Sequence, residues 1–223
     1  MKLALALSLL LVAVSPARAD EFDAAAARAT TLTGPEALAS LFWSQVAQCK
    51  EQDDFFRRQC EGIKAARRER IAGSTFLLES KGAVEVMPFD AKAMSVDVEV
   101  KACAACAGVK IGGERRYLVG RGAVKVVGGR VTPVTLHKGT RTFASKAEGD
   151  AWSKTVAPRL TAQLLLKLPA AIESWKDAGS EGYHVEVVGF RVLDPCTGVV
   201  LFAQPKSTNA APDSSACPAK KTK

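Results

Sequence analysis

A leader of nineteen residues, MKLALALSLLLVAVSPARA, stands ahead of six cysteines, and together they limit the folds open to this chain more than any other property of its sequence. Lys2 supplies a positive n-region, Leu3 to Val14 an apolar h-region, and Ala17-Arg18-Ala19 a small-x-small cleavage site before Asp20. The apolar run is too short to span a bilayer comfortably, and no cysteine follows the cleavage site to carry a lipid. The sequence therefore predicts an exported, soluble protein, periplasmic or extracellular, in a space where thiols pair. Its richness in Ala, Val and Arg suits a bacterial envelope or secretome.

Without the leader, 204 of the 223 residues remain, enough to bury a real core, so disulfides would reinforce the fold rather than replace a core. Lys2 and Arg18 depart with the leader, leaving 29 bases against 23 acids. That excess reads first as a solubilising surface, and otherwise as attraction to an anionic envelope polymer, to lipid headgroups or to another envelope protein. Aromatics are few and not interleaved with the bases, which argues against nucleic acid. No later segment reads as a transmembrane helix.

Residues 20–32 are Ala-rich without an apolar stripe and predict a flexible N-terminal arm. Thr33-Gly34-Pro35-Glu36 is a helix start, with Thr33 and Glu36 spaced as a capping box. Leu38, Phe42, Val46 and Cys49 then share one face. After the polar stretch Lys50–Asp54, a second stripe runs through Phe56, Cys60, Ile63 and Ile71 to Gly73. From Ser74 the period changes to two. Thr75–Glu79 and Ala83–Met87 read as a hairpin, and Met94, Val96, Val98, Val100 and Ala102 alternate with polar residues. Residues 116–119, 123–127 and 131–136, separated by glycines, continue an antiparallel meander. Trp152, Val156, Leu160, Leu164 and Leu168 recur every four residues and predict a helix over the sheet, divided at Pro158. A short helix from Pro169 to Trp175 follows, then a closing hairpin of 183–193 with 199–203. Lys206 onward reads as a disordered basic tail.

The expected fold class is α+β: an N-terminal helical pair, an antiparallel β-meander covered by a C-terminal helix, and a closing β-hairpin. The expected organisation is leader 1–19, arm 20–32, one domain 33–205 and tail 206–223. Within the domain, 33–73 is helical and 74–205 holds the sheet and its helix.

The disulfide candidates are Cys49, Cys60, Cys103, Cys106, Cys196 and Cys217, and six cysteines allow fifteen pairings. On one straight helix Cys49 and Cys60 would sit about 16 Å apart, beyond the roughly 7 Å that a disulfide tolerates. A turn near 51–54, with Asp53 or Asp54 capping a second helix, would let them bridge a helical hairpin, and that is the favoured reading. Cys196 and Cys217 pair by elimination.

Cys103-Ala104-Ala105-Cys106 has catalytic associations, since a C-x-x-C pair at a helix start can exchange disulfides. Here a Gly-broken, strand-like stretch follows it, no Trp or Phe precedes it, and no βαβ order leads to it. On the other side, Val131-Thr132-Pro133-Val134 resembles the segment that sets a cis-proline opposite the redox pair in thioredoxin-like folds. The strand alternation also places Cys103 on an accessible polar side. A structural bridge is the favoured reading, and thiol–disulfide exchange through Cys103 and Cys106 the alternative.

Other chemistry finds little footing. His137 and His184 read as surface or strand-edge residues, no Gly-x-Ser-x-Gly elbow exists, and the glycine pairs lack the Lys-Ser/Thr of a phosphate loop. Asp53 and Asp54 read as caps, Asp97 and Glu99 as a solvated strand face. The sequence implies no cofactor and no metal. Lys64, Arg67, Arg68 and Arg70 form a basic cluster, either a solvated face balanced by Glu61 and Glu69 or a candidate docking patch. Val187 to Val200, which contains Asp194-Pro195-Cys196-Thr197-Gly198, resembles the strand, Asp-x-x-Thr-Gly, strand hairpin of several bacterial envelope proteins, a likeness that implies no function. The sequence thus points to a disulfide-stabilised, non-enzymatic binding or structural protein.

Overall fold

A computed structural model describes residues 21–46, 48–50, 53–122, 125–127, 130–177, 179–207 and 210–217. The leader 1–19, the Gly128-Gly129 turn and the end of the tail, 218–223, lie outside them. The chain begins with α1 (Glu21–Ala26), β1 (Thr30–Leu32), α2 (Pro35–Val46) and α3 (Asp54–Ala72). Strands β2 (Thr75–Ser80), β3 (Val84–Val86), β4 (Ser95–Lys101), β5 (Cys103–Ile111) and β6 (Glu114–Gly120) follow. Next come β7 (Lys125–Val127), β8 (Arg130–Thr132), β9 (Thr135–Thr142) and α4 (Lys146–Thr155). The last strands are β10 (Thr161–Lys167), β11 (Ser174–Asp177), β12 (Ser180–Asp194) and β13 (Val199–Gln204). The class is mixed α+β.

A large curled sheet runs β1-β2-β10-β12-β6-β5, with β11 and β13 also paired to the long β12. A three-stranded antiparallel sheet, β3-β4-β9, packs on it. Val96, Val98 and Val100 of β4 are fully buried on alternate positions and join Phe76, Leu78, Leu164, Leu166 and Val192 in one core. His137, on the edge strand β9, is half-buried against the rings of Phe190 and Phe202, at 5.7 and 5.1 Å.

Three expectations are corrected. The stripe from Trp152 to Leu168 is not one helix covering a meander. α4 ends at Thr155, a 3-10 turn occupies Ala157–Arg159, and Thr161–Lys167 is a central strand between β2 and β12. A spacing of four is also a multiple of two, so Leu160, Leu164 and Leu168 fit a strand face as well as a helix face. Leu165 is buried on the opposite face, as in a strand covered on both sides. The expected short helix at 169–175 is likewise absent, and Ser174–Asp177 pairs with Ser180–Tyr183 as β11.

The meander is also interrupted. β2 pairs with β1 and β10, β3 pairs with β4, and β9 returns to β4, so 75–87 is not a hairpin. The chain changes sheets at Ala102, whose N–H donates to Val134 O and whose carbonyl accepts from Gly120 N. β6 then runs parallel to β12, outside any meander.

The third correction concerns the arm. Residues 21–26 are helical and 30–32 form an edge strand parallel to β2. Phe22 is fully buried under the Arg191 guanidinium, 4.9 Å from ring centre to Cζ, and Arg191 Nη1 donates to Asp23 at 2.5 Å. One aromatic anchor and one acid hold this segment, with no periodic pattern to announce it.

Candidate functional site

The first turn of α2 follows Gly34 into Pro35, whose fixed φ suits the first helical position. Leu38, Ala39 and Phe42 bury one face, and the Phe42 ring stacks on Tyr183 at 5.4 Å. That orientation turns Ser40, Trp43 and Ser44 away from the core. α3 opens on Asp53, whose carboxylate accepts from Phe55 N at 2.7 Å and Phe56 N at 3.3 Å. The bend therefore needs no glycine, because the cap itself starts the second helix. Cys49 and Cys60 are bonded across the bend with Cα atoms 5.9 Å apart. Ser40 and Ser44 of α2 share walls with Arg67 of α3 on the far side of that bend, so the second helix folds back along the first.

Between them lies a groove. One part, about 610 Å3, is lined by Ser40, Trp43, Ser44, Ile63, Lys64 and Arg67, and bordered by Lys110 and Gly112 of the β5–β6 hairpin. A second part, about 570 Å3, shares Ser40, Ser44 and Arg67 and adds Leu41, Arg70, Ile71 and Phe76. Trp43 is 47 % and Ile63 52 % exposed, a large apolar surface left to water. Gly112, at φ +63, allows the Trp43 ring to lie over the turn, since a Cβ there would come within 2.3 Å of it.

The hydroxyls of Ser40 and Ser44 donate to the carbonyls of Glu36 and Leu41. The cationic donors facing the groove are thus Lys64, Arg67, Arg70 and Lys110. Among the described residues, no carboxylate and no imidazole lines either part. The lining thus combines positive charge with exposed apolar area.

The groove collects Lys64, Arg67 and Arg70 of the basic cluster, together with Cys60, and leaves Arg68 outside. The sequence reading missed Trp43, Ser40, Ser44 and Lys110. Trp43 could have been found as an aromatic one position off the buried Leu38–Phe42 stripe. Lys110 carried no signal, because only the tertiary fold brings β5 to the helices.

The other cysteines are placed elsewhere. Cys103 and Cys106 are bonded within β5, with Cα atoms 5.5 Å apart across an irregularity in the β5–β6 register. The expected accessible side for Cys103 is corrected: it is fully buried. The alternation of β4 does not carry through Ala102, where the chain enters the other sheet. Cys103 begins a strand rather than a helix, so no helix dipole acts on its sulfur. Cys106 is half-buried, with its sulfur 3.0 Å from Gly82 O. Val134 does lie beside this end of β5, through the Ala102 amide.

Cys196 and Cys217 are bonded with Cα atoms 4.7 Å apart, and Ala210 N and Asp213 N donate to Gly198 O and Pro195 O. This part of the expected disordered tail is therefore docked on the β12–β13 turn. Asp194 anchors that turn. Its carboxylate accepts from Arg159 at 3.1 and 2.7 Å, from Cys196 N at 3.1 Å and from Thr197 Oγ1 at 3.2 Å. Burial alone would raise its pKa, yet the guanidinium, the amide and the hydroxyl outweigh burial and hold it below the usual carboxylate value.

Asp97 and Glu99 form an ion-pair ladder on β4. Asp97 is held low by Thr140 and Lys138, and Glu99 chiefly by Lys101, against some desolvation. No described helix is long and apolar enough to cross a membrane. No family model, no curated protein and no solved structure matches the chain.

Proposed function

We propose that this chain is an exported, disulfide-braced protein of a bacterial envelope or secretome that binds rather than catalyses, and that an anionic envelope polymer occupies its α2–α3 groove. The observation that carries this reading is the groove itself. Trp43 and Ile63 offer apolar surface, Lys64, Arg67, Arg70 and Lys110 offer charge, and Cys49–Cys60 holds the helices together at the bend. A site fixed before its ligand arrives loses less conformational freedom on binding.

Sodium polyphosphate is a suitable probe, titrated into the mature, oxidised protein. Lys64→Glu with Arg67→Glu removes two charge-assisted contacts and should weaken binding by about tenfold or more. Lys146→Glu with Lys154→Glu makes the same charge change on the exposed face of α4 and should leave the affinity near that of the parent. Equal losses in both variants would mean a diffuse electrostatic film and would end the proposal.

The alternative, thiol–disulfide exchange, draws on the half-exposed Cys106 and the neighbouring Val134. It is weakened by the burial of Cys103 at the start of a strand. Trapping with iodoacetamide after mild reduction of the folded protein separates the two readings. Exchange requires rapid alkylation at Cys103 or Cys106, whereas a bracing bridge stays unmodified.

A further inference from the structure

We infer that the α2–α3 groove continues past the end of α3 into a further cationic pocket, so that the ligand it suits is a long linear polyanion rather than a small anion. This rests on the groove reading above and adds a second point of attachment to it. A cavity of about 540 Å3 lies where β2 begins, lined by Arg28, Thr30, Ser74, Thr75, Lys167 and Val188. Ser74 also lines the part of the groove that holds Arg67 and Arg70. One residue is thus a wall of both.

The topology explains why bases meet there. α3 stops at Ala72, and Gly73 and Ser74 lead straight into β2, which runs between β1 and β10. Thr30 of β1 stands beside Phe76 in parallel register, so Arg28, two residues earlier, comes level with Ser74. On the other side Lys167, the last residue of β10, is paired with Thr75. Neighbouring strands lie roughly 4.8 Å apart, so the start of β2 has a base on either flank. It follows directly on the helix that carries Lys64, Arg67 and Arg70. Lys64 and Arg70 alone are about 9 Å apart along the α3 axis. A small anion meets one pocket at a time, whereas a chain of linked anionic groups reaches both.

Neighbouring acids do not cancel this charge. Arg28 and Lys167 are exposed. Among the described residues they, Arg67 and Arg70 take part in no ion pair. Arg28 Nε donates to Ala24 O, which holds its stem against the end of α1. Among the described residues no carboxylate lines the cavity. Glu186 on β12 stands opposite Lys167. Counted in full against that lysine, it leaves Arg28 and Arg70. Asp23 of α1 is taken up by Arg191, and Glu61 and Glu69 of α3 lie outside both parts of the groove. Once one stretch of a polyanion sits in the groove, the next meets Arg28 and Lys167 at a high effective concentration.

The test is calorimetric titration of the mature, oxidised protein with tripolyphosphate and with long-chain polyphosphate, affinities being expressed per phosphate. The long chain should bind the parent about tenfold more tightly or better. Arg28→Gln with Lys167→Gln should remove most of that advantage and leave tripolyphosphate binding at the parental level. Both side chains are exposed, so the variant should fold, which far-ultraviolet circular dichroism verifies. Lys146→Gln with Lys154→Gln, the same charge change on α4, should keep the advantage. Equal affinity of the parent for the two ligands would overturn the continuation and leave the groove standing. An undiminished advantage in Arg28→Gln with Lys167→Gln, or an equal loss of tripolyphosphate binding there, would overturn it too. Failure of both ligands to bind the parent would end the groove reading and this inference together.

Discussion

Asp194 concentrates more interactions than any other acid described here, and its sequence context, a turn with Pro195, Thr197 and Gly198, told only part of the reason. The turn chemistry was legible, since Asp followed by Thr-Gly between apolar runs is a turn with a mechanism. The partner Arg159 lies 35 positions away and was not legible, because a buried ion pair leaves no local pattern. Asp194→Asn would leave the guanidinium without its counter-charge. Removing one member of such a pair costs roughly 3–5 kcal/mol, and about 3 kcal/mol is expected here because Arg159 keeps some contact with water. Urea unfolding of the two proteins at neutral pH measures this. The pH dependence has a definite sign. With its folded pKa below the unfolded value of about 4, Asp194 contributes fully above that pH. The contribution is lost as the pH falls through the folded value. The stability gap between parent and variant should therefore narrow in acid.

Elements were legible wherever their period had only one interpretation. β4 was, because strict alternation of Val96, Val98 and Val100 with charged residues fits no helix. α3 was as well, because Asp53 supplied a cap and Gly73 a stop. β10 was not, since its leucines satisfy both periods and its second face is buried too. α1 and β1 were not, because a six-residue helix and a three-residue strand have no period to read. The exposure of α3 was not legible either: the Phe56–Ile63 stripe reads as core, yet the fold leaves most of it facing α2 and water. That exposure has a measurable consequence. Asp53→Ala should cost about 1 kcal/mol of helix stability, and Gly62→Ala should add about 1 kcal/mol, because nothing lies within 4 Å of a Cβ at Gly62. Both effects should appear in hydrogen exchange of α3 amides and leave β10 and β12 amides unchanged, since α3 contributes little to the core. Equal changes in the central strands would mean that α3 and the sheet unfold together.

The whole molecule joins a curled sheet with one continuous core to a helical hairpin braced by its own disulfide. Three disulfides, one at the hairpin, one within β5 and one at the C-terminal turn, are compatible with a protein stabilised in an oxidising space. Cysteine spacing and the limits of disulfide geometry favoured these pairings but left the connectivity open, because they turn on whether 35–72 bends, which the sequence did not decide. The groove was only partly legible: Lys64, Arg67 and Arg70 were visible as a cluster, but Trp43 and Lys110 needed the fold to bring them across from α2 and β5. On this account the sheet is the support and the hairpin the working part. Nuclear magnetic resonance mapping of amide shifts, in the mature oxidised protein titrated with polyphosphate, tests that division directly. Shifts should concentrate at Ser40–Ser44, at Cys60–Arg70 and around Lys110–Gly112. Shifts centred on Cys106 and Gly82, or spread evenly over the basic surface, would contradict it.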